Sequence, residues 1–98
     1  MTELNATIHV QGRLRIMTVL STLGEGDALS FPKLQSILET TSGNLATHLK
    51  KLEDHGYIRI SKVIESRTPI TYIQLNDEGR QAFREYKQAL RRLLDESL

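Results

Sequence analysis

The sequence predicts an α+β fold, mainly α, in which three helices form a core, a two-stranded hairpin projects from it and a long helix ends the chain. The first observation is a change of period. Apolar residues recur at helical spacing as far as Gly56, alternate between Tyr57 and Leu75, and return to helical spacing after Asn76. The second is the polar run Glu39-Thr40-Thr41-Ser42, which separates a short helical segment from a capped one in the outline of a helix-turn-helix.

The elements follow in order. Val10, Leu14, Met17 and Leu20, with Ile16 beside them, place a first amphipathic helix at about Val10 to Leu23, and Gly24-Glu25-Gly26-Asp27 breaks it. Ser30 stands two residues before Pro32, a cap followed by a residue tolerated in a helix's first turn; Leu34, Ile37 and Leu38 then share the face of a short second helix. Thr41 or Ser42 caps the third helix, whose stripe is Leu45, Leu49 and Leu52 and whose end is Gly56. Tyr57 to Ile64 alternates as a strand with Ile58 and Ile60 on one face, and Ile70 to Leu75 is a second β-rich run. The link Glu65-Ser66-Arg67-Thr68-Pro69 is therefore the hairpin tip. Asn76 or Asp77 caps the last helix, Glu78 to about Glu96, with Phe83, Tyr86, Leu90, Leu93 and Leu94 on one stripe.

At 98 residues the chain is a single domain over 1–98, with core and hairpin in 10–75 and the C-terminal helix in 76–98. A hydrophobic content of 39% and a charged content of 26% exclude a disordered or membrane-embedded class. The amino terminus Met1-Thr2-Glu3-Leu4-Asn5 lacks the basic and apolar segments of a signal peptide, so a cytoplasmic location is expected. The absence of cysteine excludes a disulfide framework, a thiol nucleophile and a thiolate metal site. A net charge of +1 hides a local excess: residues 40–75 carry Lys50, Lys51, Arg59, Lys62 and Arg67 against Glu53, Asp54 and Glu65, whereas the flanks balance to −1 and 0.

With the leucine stripe of the third helix turned inward, the turn of about 100° per residue directs Gly43, Thr47, Lys50, Lys51 and Asp54 outward, with Asn44 on the flank. Such a face suits a DNA groove. Asn pairs with an adenine edge, Thr meets a thymine methyl, Lys reaches guanine or phosphate, and a small Gly43 lets backbone approach a phosphate at the positive helix end. Arg67 at the hairpin tip is placed to reach the adjacent minor groove or the phosphates. Taken alone, the helix is equally compatible with an ordinary solvated face, and Arg67 fits an ordinary turn with a solvated guanidinium better than a DNA contact.

Arg13-Leu14-Arg15-Ile16-Met17, the block Ser42-Gly43-Asn44-Leu45-Ala46-Thr47-His48-Leu49-Lys50-Lys51-Leu52-Glu53, then His55-Gly56-Tyr57-Ile58, Pro69-Ile70-Thr71-Tyr72 and Asp77-Glu78-Gly79-Arg80 resemble, in order and spacing, the MarR/ArsR-type winged helix-turn-helix regulators of minimal single-domain type. The resemblance runs from about Val10 to Leu94. It implies a dimeric repressor or activator whose third helix reads the major groove and whose wing grips the flanking backbone. By position it implies Ser42, Asn44, Thr47, His48, Lys50, Lys51 and Arg67 as DNA-facing residues. Metal-sensing members use thiolates or terminal-helix ligands, whereas this chain has no Cys and no His after His55. No metal or other cofactor is expected, and no effector is implied.

His9, His48 and His55 lack the spacing of a metal site, and Glu53-Asp54-His55 point in different directions on a helix with no nucleophile motif nearby. An enzyme is not expected. The functional classes in play are a homodimeric regulator of double-stranded DNA with an inverted-repeat operator, a winged helix protein-interaction module that does not read DNA, and, ranked last, a small hydrolase-like enzyme. Lys50, Lys51, Lys62 and Arg67 favour the first. Phe83, Tyr86, Leu90, Leu93 and Leu94 are expected to form the dimer interface, because a small domain has little interior left to bury them.

Overall fold

A computed structural model describes residues 3–96 of the chain; residues 1, 2, 97 and 98, at the ends of the expected 1–98 domain, lie outside the described residues. The elements are α1 (Gln11–Ser21), β1 (Leu29–Ser30), α2 (Phe31–Leu38), α3 (Ser42–Asp54), β2 (Ile58–Glu65), β3 (Thr68–Leu75) and α4 (Asp77–Glu96). The predicted architecture is therefore present, with the three-helix core, hairpin and terminal helix in the expected order.

The caps work as their residue types dictate. Lys33 N–H donates to Ser30 Oγ at 3.3 Å, and Pro32 lies in the first turn of α2. Thr41, rather than Ser42, caps α3, its Oγ1 accepting from Asn44 N–H at 3.1 Å. Between the two helices Glu39 takes φ 51°, a left-handed residue that ends α2 and turns the chain toward α3. Asn76 starts α4: its Oδ1 accepts from Gly79 N–H at 2.7 Å while its Nδ2 donates to the Gly56 carbonyl at 2.7 Å. Gly79 is a matter of space, since a Cβ there would overlap the Tyr57 carbonyl oxygen.

The sheet differs from the expected two strands. Leu29 and Ser30 pair antiparallel with Ile73 and Tyr72, giving the order β1-β3-β2. A segment this short carries no readable alternation, and only its partner strand makes it β. The hairpin tip is also tighter than the expected five-residue link: pairing continues to Glu65 opposite Thr68, so Ser66 and Arg67 alone make the turn, at φ 48° and 65°. Positive φ at both central residues is the twist-matched solution for a two-residue hairpin, adopted here without glycine.

One core gathers Ile16, Met17 and Leu20 of α1, Leu34 and Leu38 of α2, the leucine stripe of α3, and Ile58, Ile73 and Leu75 of the sheet. Ile37 of α2, expected on the inward face, is 44% exposed. Ile8, ahead of α1, is fully buried, in a turn where Asn5 Oδ1 accepts from Thr7 and Ile8 N–H. Phe83 and Tyr86 are buried in this same core, so their expected place in a dimer interface is corrected: the chain covers them itself. Among the described residues no helix is long and apolar enough to cross a membrane.

Candidate nucleic-acid interface

Leu45, Leu49 and Leu52 bind α3 to the core along one side, and this fixes what the other side displays. Ser42, Gly43, Asn44 and Thr47 are all exposed, in the first two turns. The Asn44 amide makes no hydrogen bond among the described residues, whereas Thr47 donates its hydroxyl to the Gly43 carbonyl at 3.0 Å and so presents its methyl group and oxygen lone pairs outward. Lys51 is exposed. Lys50 is engaged: its ammonium donates to Asp54 Oδ1 at 2.8 Å, and that hydrogen bond, with the attraction of the carboxylate, holds its pKa above the usual lysine value. Exposed i,i+4 pairs are held weakly, so Lys50 is free to exchange Asp54 for another anion.

His48 is not where the resemblance implied. Its ring turns toward α1 and lies half-buried against Gly12, where a Cβ would overlap the imidazole. Its Nδ1 is buried without a partner among the described residues. The residue faces the seam between α1 and α3, beside a cleft of about 80 Å³ that Arg15, Thr40 and Asn44 also line. Arg15, exposed on α1 at this cleft, is a cation the sequence argument passed over, because nothing local relates the first helix to the third.

Arg67 is exposed at the turn of the hairpin, the wing of this fold. Along β2, Ile58, Ile60, Lys62 and Ile64 share a face by the two-residue period of a strand. Ile58 is buried and Ile60 packs on the core, but Lys62 and Ile64 lie beyond it and are exposed. Lys62, like Arg59 and Arg67, has no ion-pair partner among the described residues. Its position was legible from the alternation. Glu65 accepts from the Tyr72 hydroxyl at 2.8 Å, an interaction that raises the tyrosine's pKa.

The expected interface on α4 divides. Phe83 and Tyr86 are internal, Leu90 packs partly on the core, Leu93 is half-buried and Leu94 is 58% exposed. The three histidines lie apart: His9 Nδ1 is 2.8 Å from the Tyr86 hydroxyl, His55 Nδ1 is 3.0 Å from the Lys51 carbonyl, and His48 packs on Gly12.

Comparison with known proteins agrees with this geometry. The profile of a winged helix DNA-binding domain matches residues 13–94. An uncharacterised protein of Methanocaldococcus jannaschii is 35% identical over 74 residues, which is 76% of this chain and 77% of that protein. The structure of a transcriptional regulator homologue from Pyrococcus horikoshii superposes with TM-score 0.81 at 29% identity, covering 91% of this chain and 85% of the other. PadR of Bacillus subtilis, solved in complex with operator DNA, shares the fold with TM-score 0.60 at 21% identity, over 74% of this chain and 44% of its own.

Proposed function

The chain belongs to the family of winged helix DNA-binding domains, and on that premise we propose that it is a sequence-specific transcriptional regulator that binds double-stranded DNA as a homodimer. Asn44 and Thr47 of α3 read base edges, Ser42 and the backbone at Gly43 approach a phosphate, and Lys50, Lys51 and Arg67 hold the phosphates on either side. No catalytic group or cofactor enters this role.

The observation that carries it is Gly43. Glycine in the middle of a helix costs about 0.5–1 kcal/mol relative to alanine; Gly43, in the first turn of α3, bears part of that cost, and nothing inside the chain calls for it: φ is not positive, and a Cβ would meet no atom within 4 Å. Gly79, in contrast, is required by the Tyr57 backbone, and Gly12 makes room for the His48 ring. A missing side chain with no internal use, at the exposed positive end of an acid-free helix turn, suits close approach by an external anion such as the DNA backbone.

The proposed dimer contact is the C-terminal end of α4, where the apolar stripe continues from Leu90, partly packed on the core, to Leu93 and Leu94. A twofold axis there sets two copies of α3 in successive major grooves, about 34–36 Å apart, on an inverted-repeat operator. Selection of bound duplexes from a random pool tests this: enrichment of an inverted repeat is expected, and absence of any enriched sequence would overturn it. Gly43→Ala sharpens the test, with a stability gain of up to about 1 kcal/mol alongside weaker binding to the selected duplex. A gain in stability with undiminished binding would remove Gly43 from the interface.

A further inference from the structure

The wing continues its apolar face beyond the point where the core ends. On β2 the face runs Ile58, Ile60, Lys62, Ile64, and on β3 the directly opposed residues are Leu75, Ile73, Thr71 and Pro69. The first two pairs are packed on the core; at the last pair Ile64 is 71% exposed and Pro69 is exposed. An isoleucine this exposed near the end of the hairpin adds little burial to the domain. The surrounding charge indicates what covers it. Residues 58–75 carry Arg59, Lys62 and Arg67 and a single acid, Glu65. That acid lies on the opposite face of the hairpin, tied to the Tyr72 hydroxyl at 2.8 Å. Ile64 thus lies two residues from Lys62 and next to the turn that carries Arg67, on a hairpin face with no carboxylate of its own; Glu53 of α3 borders that face nearer the core, beside Ile60 and Thr71.

We propose, resting on the DNA-binding role above, that Ile64 backed by Pro69 is an apolar wedge that seats in the minor groove beside the site read by α3, with Lys62 and Arg67 on the bordering phosphates. The walls of that groove are deoxyribose rings, apolar surface between two rows of anions, and apolar side chains placed there by architectural proteins partly unstack a base step. The complementarity is the reverse for a second copy of the wing, because pairing two of these faces would oppose Lys62 and Arg67 to their own kind. Sequence discrimination follows without hydrogen bonds: the wedge favours flanks with an easily deformed pyrimidine–purine step.

The test uses the full chain and the selected duplex, with affinity measured across a salt series for wild type, Ile64→Ser, Ile64→Val and Arg67→Ala. Ile64→Ser is expected to weaken binding roughly tenfold at every salt concentration with an unchanged salt slope. Ile64→Val retains most of the affinity, and Arg67→Ala flattens the slope by about one unit. A minor-groove ligand that occupies the flank should abolish the difference between wild type and Ile64→Ser. Thermal melting of Ile64→Ser keeps the result interpretable, since a residue this exposed should leave the midpoint unchanged. Equal affinity of Ile64→Ser and wild type, or a loss accompanied by a changed slope, overturns the wedge. Loss of self-association in Ile64→Ser also overturns it, assigning the face to a second copy. Wild type that enriches no duplex removes the DNA role and the wedge together, whereas wild type that binds with Ile64→Ser its equal removes the wedge alone.

Discussion

The two halves of α4 carry the same apolar period and meet different fates. In the first half Gly79, Ala82, Phe83 and Tyr86 are buried, Gly79 close against Tyr57 and Leu75 and Tyr86 against His9; in the second, Leu90 and Leu93 are partly covered and Leu94 stands 58% exposed. The helix is 20 residues long, about 30 Å at 1.5 Å per residue, and the body of the domain covers only its beginning. A stripe that reads as one surface in sequence is therefore a piece of core followed by a face that the core covers only in part. Substitutions in the first half should act on folding, and those in the second on association.

The largest effect is expected from Phe83→Ala, which removes a ring at the centre of the buried half and should cost about 3–5 kcal/mol, measured by urea unfolding. That is a large fraction of the stability of a domain this size. Leu94→Ala, on the same stripe, should change it by less than about 0.5 kcal/mol in dilute monomer. Equal losses at the two positions would erase the distinction between the halves. Gly79→Ala comes next, because the new Cβ displaces α4 from the Tyr57 carbonyl; a loss of about 1–3 kcal/mol is expected, opposite in sign to Gly43→Ala.

Leu90→Asp sharpens the comparison from the other side. Sedimentation should show a folded monomer where wild type is a dimer, together with at least tenfold weaker binding to the selected duplex. A wild type that sediments as a monomer would leave the second half of α4 without its proposed dimer role.

The smallest effect concerns Tyr86, the last residue of the buried half. Burial raises its phenol pKa above the usual tyrosine value. The unfolded chain ionises first, so the stability associated with the neutral phenol is complete below about pH 10 and is lost as pH rises through the higher folded value. Tyr86→Phe should make the alkaline fall in melting temperature shallower. At neutral pH it loses the contact with His9, worth about 1 kcal/mol. An alkaline profile identical to wild type would place Tyr86 outside the core.

Elements set by local chemistry were legible. Ser30 and Thr41 cap helices because a hydroxyl accepts from the first free N–H groups, and the stripe Leu45, Leu49, Leu52 fixes the outward face of α3 whatever lies beneath it. The exposed positions of Gly43, Thr47, Lys50, Lys51 and Asp54, with Asn44 on the flank, follow from that one period. Lys62 and Ile64 were available in the alternation of β2. Their exposure was not, since a period tells which face a residue shares and not where the core ends.

The sequence by itself determined the order of the helices and the hairpin, the cap at Ser30 and the polar face of α3, and narrowed the other caps to Thr41 or Ser42 and Asn76 or Asp77, because each depends on residues a few positions apart. The tertiary structure decided the rest. It made a strand of Leu29 and Ser30 by pairing them with β3, buried Ile8 ahead of the first helix, turned His48 into the seam at Gly12, and divided α4 between interior and surface. Each of these depends on a contact between segments distant in the chain, where what covers a side chain is set by the packing of whole elements and leaves no mark on the residue's neighbours in sequence.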